Sequence, residues 1–124
     1  METINAVGAP AAVGPYSHAA RAGGLVYTSG QVPLVPETGK LIEGGIEEQT
    51  EQVFRNLAAV LDAAGLDFSN VVKATVFLTD LKDFAVVNGI YAQKFPRNPP
   101  ARSCVQVAAL PTGALVEIEL IAAR

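Results

Sequence analysis

The longest regular pattern of apolar and polar positions lies in residues 46–64. Glutamates occupy its first turns, where the helix dipole favours negative charge, and Gly65 is a natural stop. The pattern therefore predicts a helix over 46–64 with one buried face. The apolar positions that define this face are Ile46, Val53, Leu57, Val60, Leu61 and Ala64.

The sequence predicts a strand and then a second helix after this first helix. Residues 71–79 are rich in β-branched side chains, which predicts a central strand. Residues 80–95 predict a second helix, with Asp80 as its N-cap. Pro96 ends this helix, and the prolines after it make a stiff connector.

The sequence patterns towards both ends of the chain predict strands. Residues 16–21 and 25–29 flank Gly23-Gly24 and predict a hairpin, and the stretch up to residue 40 predicts irregular or edge structure. Residues 101–110 and 114–123 predict the last two strands. The order β-β-β-α-β-α-β-β predicts one α/β (α+β) domain over residues 1–124, a mixed sheet with two helices on one face.

Alternation along the last two strands separates their faces. Arg102 and Cys104 share one face of the first strand, and Glu117 and Glu119 share one face of the second. We expect the more apolar sets to meet the helices, which places these four residues together on the second face of the sheet. The arginine then has two interpretations: an ordinary cross-strand ion pair with a glutamate, or a binding group for an incoming anion.

The second face also carries apolar residues. We expect Leu115, Ile121, Phe77 and Val71 to lie there, which makes it too apolar for a face that only meets solvent. Composition agrees, since hydrophobic residues make up 50% of the chain and charged residues 17%. We therefore expect a second copy of the chain to cover this face, although an apolar monomer is the plainer alternative.

Charge and cysteine content narrow the class of protein. A net charge of −3 argues against a nucleic-acid partner and against an anionic membrane surface. Cys104 is the only cysteine, so no internal disulfide can form, which suits a reducing compartment. The first ten residues show no signal-peptide pattern, and no apolar run approaches the ~20 residues of a membrane span. We expect a cytoplasmic protein.

Several common catalytic arrangements do not fit the sequence. One histidine and one cysteine cannot supply a usual zinc site, so we expect no metal. Thr38-Gly39-Lys40 lacks the upstream glycine of a phosphate-binding loop. His18 lies far from Cys104 in the sequence, and nothing else supplies a base that would activate the thiol.

Five stretches along the chain carry a resemblance to a known family. They are GPYSHA (14–19), TSGQVP (28–33), KATVFLTDLKDFAVVNGIY (73–91), PPARSCVQVAALP (99–111) and VEIELIA (116–122). In this order, and over nearly the whole chain, they resemble the RidA (YjgF) family of reactive intermediate deaminases.

The resemblance implies a fold, an assembly and a reaction. Family members have a chorismate-mutase-like fold and form homotrimers, in which three sheets make a central barrel and clefts between subunits hold the active sites. They hydrolyse enamines and imines such as 2-aminoacrylate, 2-iminopropanoate and 2-iminobutanoate, giving 2-keto acids and ammonia. No cofactor or metal is implied, and the partners implied are a small imino acid and two further copies of the chain.

The resemblance also assigns roles to residues. Arg102 matches the arginine that binds the substrate carboxylate, and Glu117 matches the glutamate that positions or activates water. The implied substrate-binding residues are Tyr16, Ser29, Gly30, Asn88 and Cys104, with Cys104 as a wall and not a nucleophile. Tyr91 lies in the same matching stretch, but the apolar turns around it also fit a core residue.

One departure and two alternatives accompany this interpretation. The proline-rich connector 92–101 looks shorter than in the bacterial form of the family, which puts the substrate size in doubt. The same cleft would also suit a non-catalytic or chaperone-like trimer that binds small carboxylates. Related proteins have been linked to RNA cleavage and translation inhibition, an interpretation that the acidic balance disfavours.

Overall fold

The computed structural model describes all 124 residues, arranged as one sheet of six strands, a small hairpin and two helices. Short 3-10 turns cover Phe68–Asn70, Leu81–Asp83 and Pro111–Gly113. The main elements are β1 (Glu2–Ile4), β2 (Ala19–Ala22), β3 (Leu25–Thr28), β4 (Leu34–Val35), β5 (Lys40–Leu41), α1 (Ile46–Ala63), β6 (Val71–Leu78), α2 (Phe84–Lys94), β7 (Ala101–Gln106) and β8 (Val116–Ala123).

The large sheet is mixed, with the strand order β1-β2-β3-β8-β6-β7. Neighbouring strands are antiparallel except for β6 and β7, which run parallel because α2 carries the chain back between them. Strands β4 and β5 form a separate antiparallel pair closed by Thr38-Gly39. The mixed sheet with two helices confirms the predicted fold class.

Local chemistry explains where α1 begins and ends. The Glu48 carboxylate accepts a hydrogen bond from the backbone N–H of Gly45, 2.8 Å away, which satisfies a free donor ahead of the first turn. After the helix, Gly65 adopts a φ of 75°, a left-handed conformation that glycine reaches without strain. The predicted helix over 46–64 is confirmed to within one residue.

The core lies between the helices and one face of the sheet. Alternate residues of β6 and β8 are buried there against α1 and α2. Four aromatic rings pack together near the end of α2, with four edge-to-face pairs whose centroids are 5.5–6.3 Å apart and one tilted pair at 4.6 Å. These rings belong to Phe54, Phe68, Tyr91 and Phe95.

The opposite face of the sheet is uncovered in a single chain. Phe77, Leu115 and Ile121 lie there, half-buried, so the predicted second apolar face exists. Val71 was wrongly assigned to it: this side chain is buried, because a bulge between Val71 and Lys73 breaks the alternation. This uncovered surface is called the open face below.

Register places Arg102 and Cys104 on the helix face of the sheet. Arg102 pairs with Ala74 and Cys104 pairs with Val76, and both partners are buried against the helices. Glu117 pairs with Phe77 on the open face, with Glu119 two residues further along β8. The expectation that all four share one face is therefore wrong.

Other differences concern element boundaries. The Asp80 carboxylate accepts a hydrogen bond from the N–H of Lys82, but it caps a 3-10 turn, and α2 begins only at Phe84. The first hairpin strand begins at Ala19 instead of residue 16. Strand β1 was not predicted, because three residues are too few for a pattern. Neither helix is long and apolar enough to cross a membrane.

Candidate active site in two halves

The first half of the site is built around Arg102 near the start of β7. Its guanidinium Nη1 donates a hydrogen bond to Asn88 Oδ1 at 2.6 Å. The guanidinium carbon also lies 4.8 Å from the ring centroid of Tyr91 and 5.3 Å from that of Phe84. Two aromatic rings and one amide therefore hold the planar fork in one orientation.

Arg102 has no acidic partner in the chain. The ion pairs of the structure are Arg21–Glu2, Lys82–Asp80 and Lys94–Glu51. The Asn88 amide and the two rings leave this half-buried guanidinium without a counter-charge, so it favours an incoming anion. Of the two interpretations of this arginine, the cross-strand ion pair is excluded within one chain.

A cleft of about 550 Å³ opens beside this arginine. Asn88 and Tyr91 of α2 line it together with Phe95, which follows the helix, and with Pro99 and Pro100 of the connector. The proline-rich connector thus borders the cleft and contributes rigid apolar walls. The cleft offers a carboxylate ligand one positive fork between polar and apolar walls.

Cys104 lies on the same side of the sheet and is half-buried with a free thiol. Burial raises the pKa of this thiol, and the positive charge of Arg102 only partly opposes that shift. A thiol with a raised pKa is protonated near neutral pH and is a poor nucleophile. These properties agree with a Cys104 that lines the cleft and does not act as a nucleophile.

The second half of the site surrounds Glu117 at the beginning of β8. A mostly apolar cavity of about 350 Å³ lies here, and Tyr16, Ser29, Gly30 and Thr112 line it together with this glutamate. A side chain at residue 30 would overlap the Glu117 carboxylate, because a Cβ there would fall on its atoms. Glycine at this position is therefore required for the carboxylate to reach the cavity.

Backbone contacts fix the segment that carries Ser29 and Gly30. Gln31 and Ile118 exchange two backbone hydrogen bonds, of 2.9 and 3.2 Å, which attach this segment to β8. Ser29 N donates to His18 O at 2.9 Å, and Ser29 Oγ donates to Ser17 O at 2.7 Å. The Ser29 hydroxyl hydrogen is thus already used, and only its lone pairs are available to a ligand.

The surroundings of Glu117 change its acidity. Burial raises the pKa of this carboxyl above its ordinary value, and the negative charge of Glu119 raises it further. A carboxylate with a raised pKa is a better proton acceptor near neutral pH than an exposed one. The chemistry available here is therefore proton transfer with water.

The predicted site residues fall into two groups on opposite faces of the sheet. Asn88 and Cys104 lie with Arg102 on the helix face, and Asn88 holds the guanidinium. Tyr16, Ser29 and Gly30 lie with Glu117. One copy of the chain does not bring Arg102 and Glu117 together.

Sequence reasoning missed Phe84 and Thr112. Phe84 precedes the predicted Asn88 by four residues and Tyr91 by seven, which places the three on one face of a helix, and this spacing could have identified Phe84 as part of the clamp on Arg102. Thr112 carries no comparable signal, because its place in the cavity depends on a turn conformation. No group of three His, Cys, Asp or Glu side chains comes together as a metal site.

Known proteins resemble this chain closely. A protein of Arabidopsis thaliana named Reactive Intermediate Deaminase A, chloroplastic, is 54% identical over 121 residues, which cover 98% of this chain and 65% of that protein. A Mus musculus protein named 2-iminobutanoate/2-iminopropanoate deaminase is 50% identical over 123 residues, or 99% of this chain and 91% of that protein. The crystal structure of RidA from the Antarctic bacterium Psychrobacter sp. PAMC 21119 matches with a TM-score of 0.95 and 50% identity over 100% of both chains.

The family assignment follows from the extent of these matches. Residues 6–124 match the family described as endoribonuclease L-PSP, which leaves no separate region within the chain. Sequence identity of about one half accompanies the same fold over the full length. The chain therefore belongs to the endoribonuclease L-PSP family, to which the RidA (YjgF) deaminases also belong.

Proposed function

We propose that this protein hydrolyses 2-imino acids and their enamine tautomers, such as 2-iminopropanoate and 2-iminobutanoate, to 2-keto acids and ammonia. The observation that carries the proposal is the preset Arg102 fork, which has no acidic partner and opens on a cleft. A small carboxylate is the ligand that such a fork binds through two parallel hydrogen bonds. Relatives named for the same reaction support this choice.

Two neighbouring copies of the chain complete each active site in this proposal. One copy contributes Arg102, Asn88 and Cys104, and the next contributes Glu117 with the Tyr16–Gly30 side of the cavity. The half-buried apolar open face supports such an assembly, because association would remove it from water. The assembly that we propose is the family's homotrimer, with its chorismate-mutase-like barrel of three sheets.

The reaction divides between the two halves. Arg102 holds the carboxylate of the imino acid, and Glu117 accepts a proton from a water molecule. The water oxygen bonds to the C=N carbon, the C=N π electrons move to the nitrogen, and the nitrogen takes the proton that Glu117 removed from water. The hydroxyl proton is then transferred to the amino group, the C–N bond breaks, ammonia departs, and the oxygen becomes the keto group. Water is added and ammonia is released, so no redox cofactor is required.

A coupled assay tests the proposal. A serine dehydratase would generate 2-aminoacrylate in place, and the release of pyruvate would be followed with and without this protein. We expect the protein to accelerate release beyond the spontaneous hydrolysis, whereas an equal mass of albumin should not. An unchanged rate would remove the proposed activity.

The same protein preparation tests the alternative of a non-catalytic protein that binds small carboxylates. Binding of pyruvate without any acceleration would indicate a protein that only holds small carboxylates. The cytoplasm remains our proposed compartment, because the single free thiol suits reducing conditions.

A further inference from the structure

Thr112 has an unusual backbone conformation for its residue type. It lies in the turn between β7 and β8 with a φ of 62° and a ψ of 12°, in the left-handed region. A β-branched residue rarely adopts this conformation, because its branched Cβ crowds the neighbouring peptide groups. Strained residues of this kind are concentrated at functional sites.

The turn around Thr112 is fixed from both sides. Gly113 follows with a φ of 75°, so two successive residues are left-handed. The N–H of Gly113 donates to Leu110 O at 3.3 Å, and the N–H of Ala114 donates to Pro111 O at 3.1 Å. These two backbone hydrogen bonds therefore hold Thr112 in its left-handed conformation.

The turn directs Thr112 into the cavity of Glu117. Thr112 lines that cavity with Tyr16 and Gly30. Its Oγ donates its only hydrogen to the Pro111 carbonyl at 2.6 Å. The lone pairs of the hydroxyl remain, so Thr112 offers the cavity a hydrogen-bond acceptor and no donor.

We propose that Thr112 Oγ accepts a hydrogen bond from the nitrogen of the substrate. This inference rests on the proposed function of the cavity. The imine nitrogen and the departing ammonia both carry N–H donors, and a hydroxyl that donates to Pro111 O presents its lone pairs to them. In the proposed reaction Glu117 bonds to the attacking water, which leaves hydroxyl oxygens of the cavity, Thr112 Oγ among them, to accept from the substrate nitrogen. Thr112 would thus orient the C=N bond toward the water that Glu117 activates.

Three substitutions separate the hydroxyl from the strain. We expect Thr112→Val, which removes the hydroxyl, to lower kcat/KM about five- to tenfold, the range of one neutral hydrogen bond. Thr112→Ser keeps the hydroxyl and should stay within about twofold of the parent. Thr112→Gly should lose the same activity as the valine variant while its Tm is unchanged or higher, because glycine relieves the left-handed strain. Asn98→Gly is the matched control, since Asn98 is the other non-glycine residue with positive φ, at 48°.

Ligand binding provides a readout that a structural effect would not produce. Alanine carries an ammonium group beside its carboxylate, and pyruvate carries none. Thr112→Val and Thr112→Gly should weaken alanine binding about fivefold and leave pyruvate binding unchanged, as for a lost hydrogen bond to one ligand only. Equal weakening of both ligands, or a Tm loss that parallels the activity loss in all three variants, would overturn the assignment.

The outcomes distinguish this inference from the proposed function. If the parent protein deaminates and Thr112→Val retains the full rate, the Thr112 inference fails while the function stands. If the parent protein does not deaminate, the function fails, and unchanged discrimination between alanine and pyruvate in the variants overturns the nitrogen contact as well.

Discussion

Replacing Arg102 with alanine is expected to lower kcat/KM for 2-iminopropanoate by about a hundredfold or more. Each hydrogen bond from a charged donor contributes about 1.5–3 kcal/mol, and the fork can make two to a carboxylate. Initial rates in the dehydratase-coupled assay would measure this loss. The Tm should change little, because Arg102 is half-buried and lies on an edge strand.

Arg102→Lys is the matched control for charge. Lysine keeps the positive charge but lacks the planar fork and cannot reproduce the hydrogen bond to Asn88 together with two bonds to a ligand. We expect it to recover only a small part of the activity, mainly as weak binding with a high KM. An alanine variant with the parental rate and an intact assembly would show that Arg102 is not the carboxylate anchor.

Replacing Glu117 with glutamine should lower kcat by about two to three orders of magnitude, the range usual for loss of a general base. KM should change little, because the carboxylate of the substrate is bound by the other half of the site. Binding of pyruvate, measured by calorimetry, should remain close to that of the parent protein. Parental kcat in the glutamine variant would contradict the role of Glu117 in activating water.

The pH dependence of the parent protein follows from the same residue. Because the deprotonated form acts as the base, kcat/KM should fall as the pH drops through the raised pKa of Glu117, above the ordinary value of 4.5. Glu119→Gln should move this acid limb to lower pH, since the charge of Glu119 contributes to the shift. An acid limb that is unchanged in the Glu119 variant would contradict this coupling.

The raised pKa of Glu117 should also make the free energy of unfolding depend on pH. A raised pKa means that the folded state binds the Glu117 proton more tightly than the unfolded chain does. The free energy of unfolding therefore loses this contribution as the pH rises from the unfolded pKa through the folded one. Glu117→Gln should remove that loss and raise the Tm at pH 8 but not at pH 4.

Much of the fold could be predicted from local patterns. The helix over 46–64 and the strand over 71–79 match α1 and β6 within one residue at each end, because long periodic segments carry a strong signal. The start of α2 was placed too early, since Asp80 caps a 3-10 turn and a cap does not specify which helix follows. Family motifs, and not periodicity, selected Arg102 and Glu117 from other charged residues.

The face of β7 that meets the helices could not be predicted from the sequence of the strand alone. Its alternation was assigned correctly, but each face carries both polar and small apolar residues, so neither is clearly the core face. Val105 suggested the wrong choice: it lies exposed on the open face, while Arg102 packs its fork between Phe84 and Tyr91. That choice depends on parallel pairing with β6 across an intervening helix, a long-range contact that the six residues of β7 do not encode.

The facing of β7 determines how the two halves of the site can meet. Arg102 and Glu117 were expected to share one face, yet the register separates them by the thickness of the sheet. The separation gives a geometric reason for the expected active sites between subunits, because one chain cannot bring the two residues together. The cavity position of Thr112 depends in turn on a left-handed conformation that its residue type disfavours, so no sequence rule would have placed it there.

Mixing two inactive variants tests most directly whether two copies of the chain build each active site. Arg102→Ala and Glu117→Gln would be unfolded together in equal amounts and refolded, with mass spectrometry confirming hybrid trimers. Random assembly pairs an intact Arg102 half with an intact Glu117 half at about one interface in four, so about a quarter of parental activity should return. A mixture of confirmed hybrids that stays as inactive as its two parents would contradict a shared site.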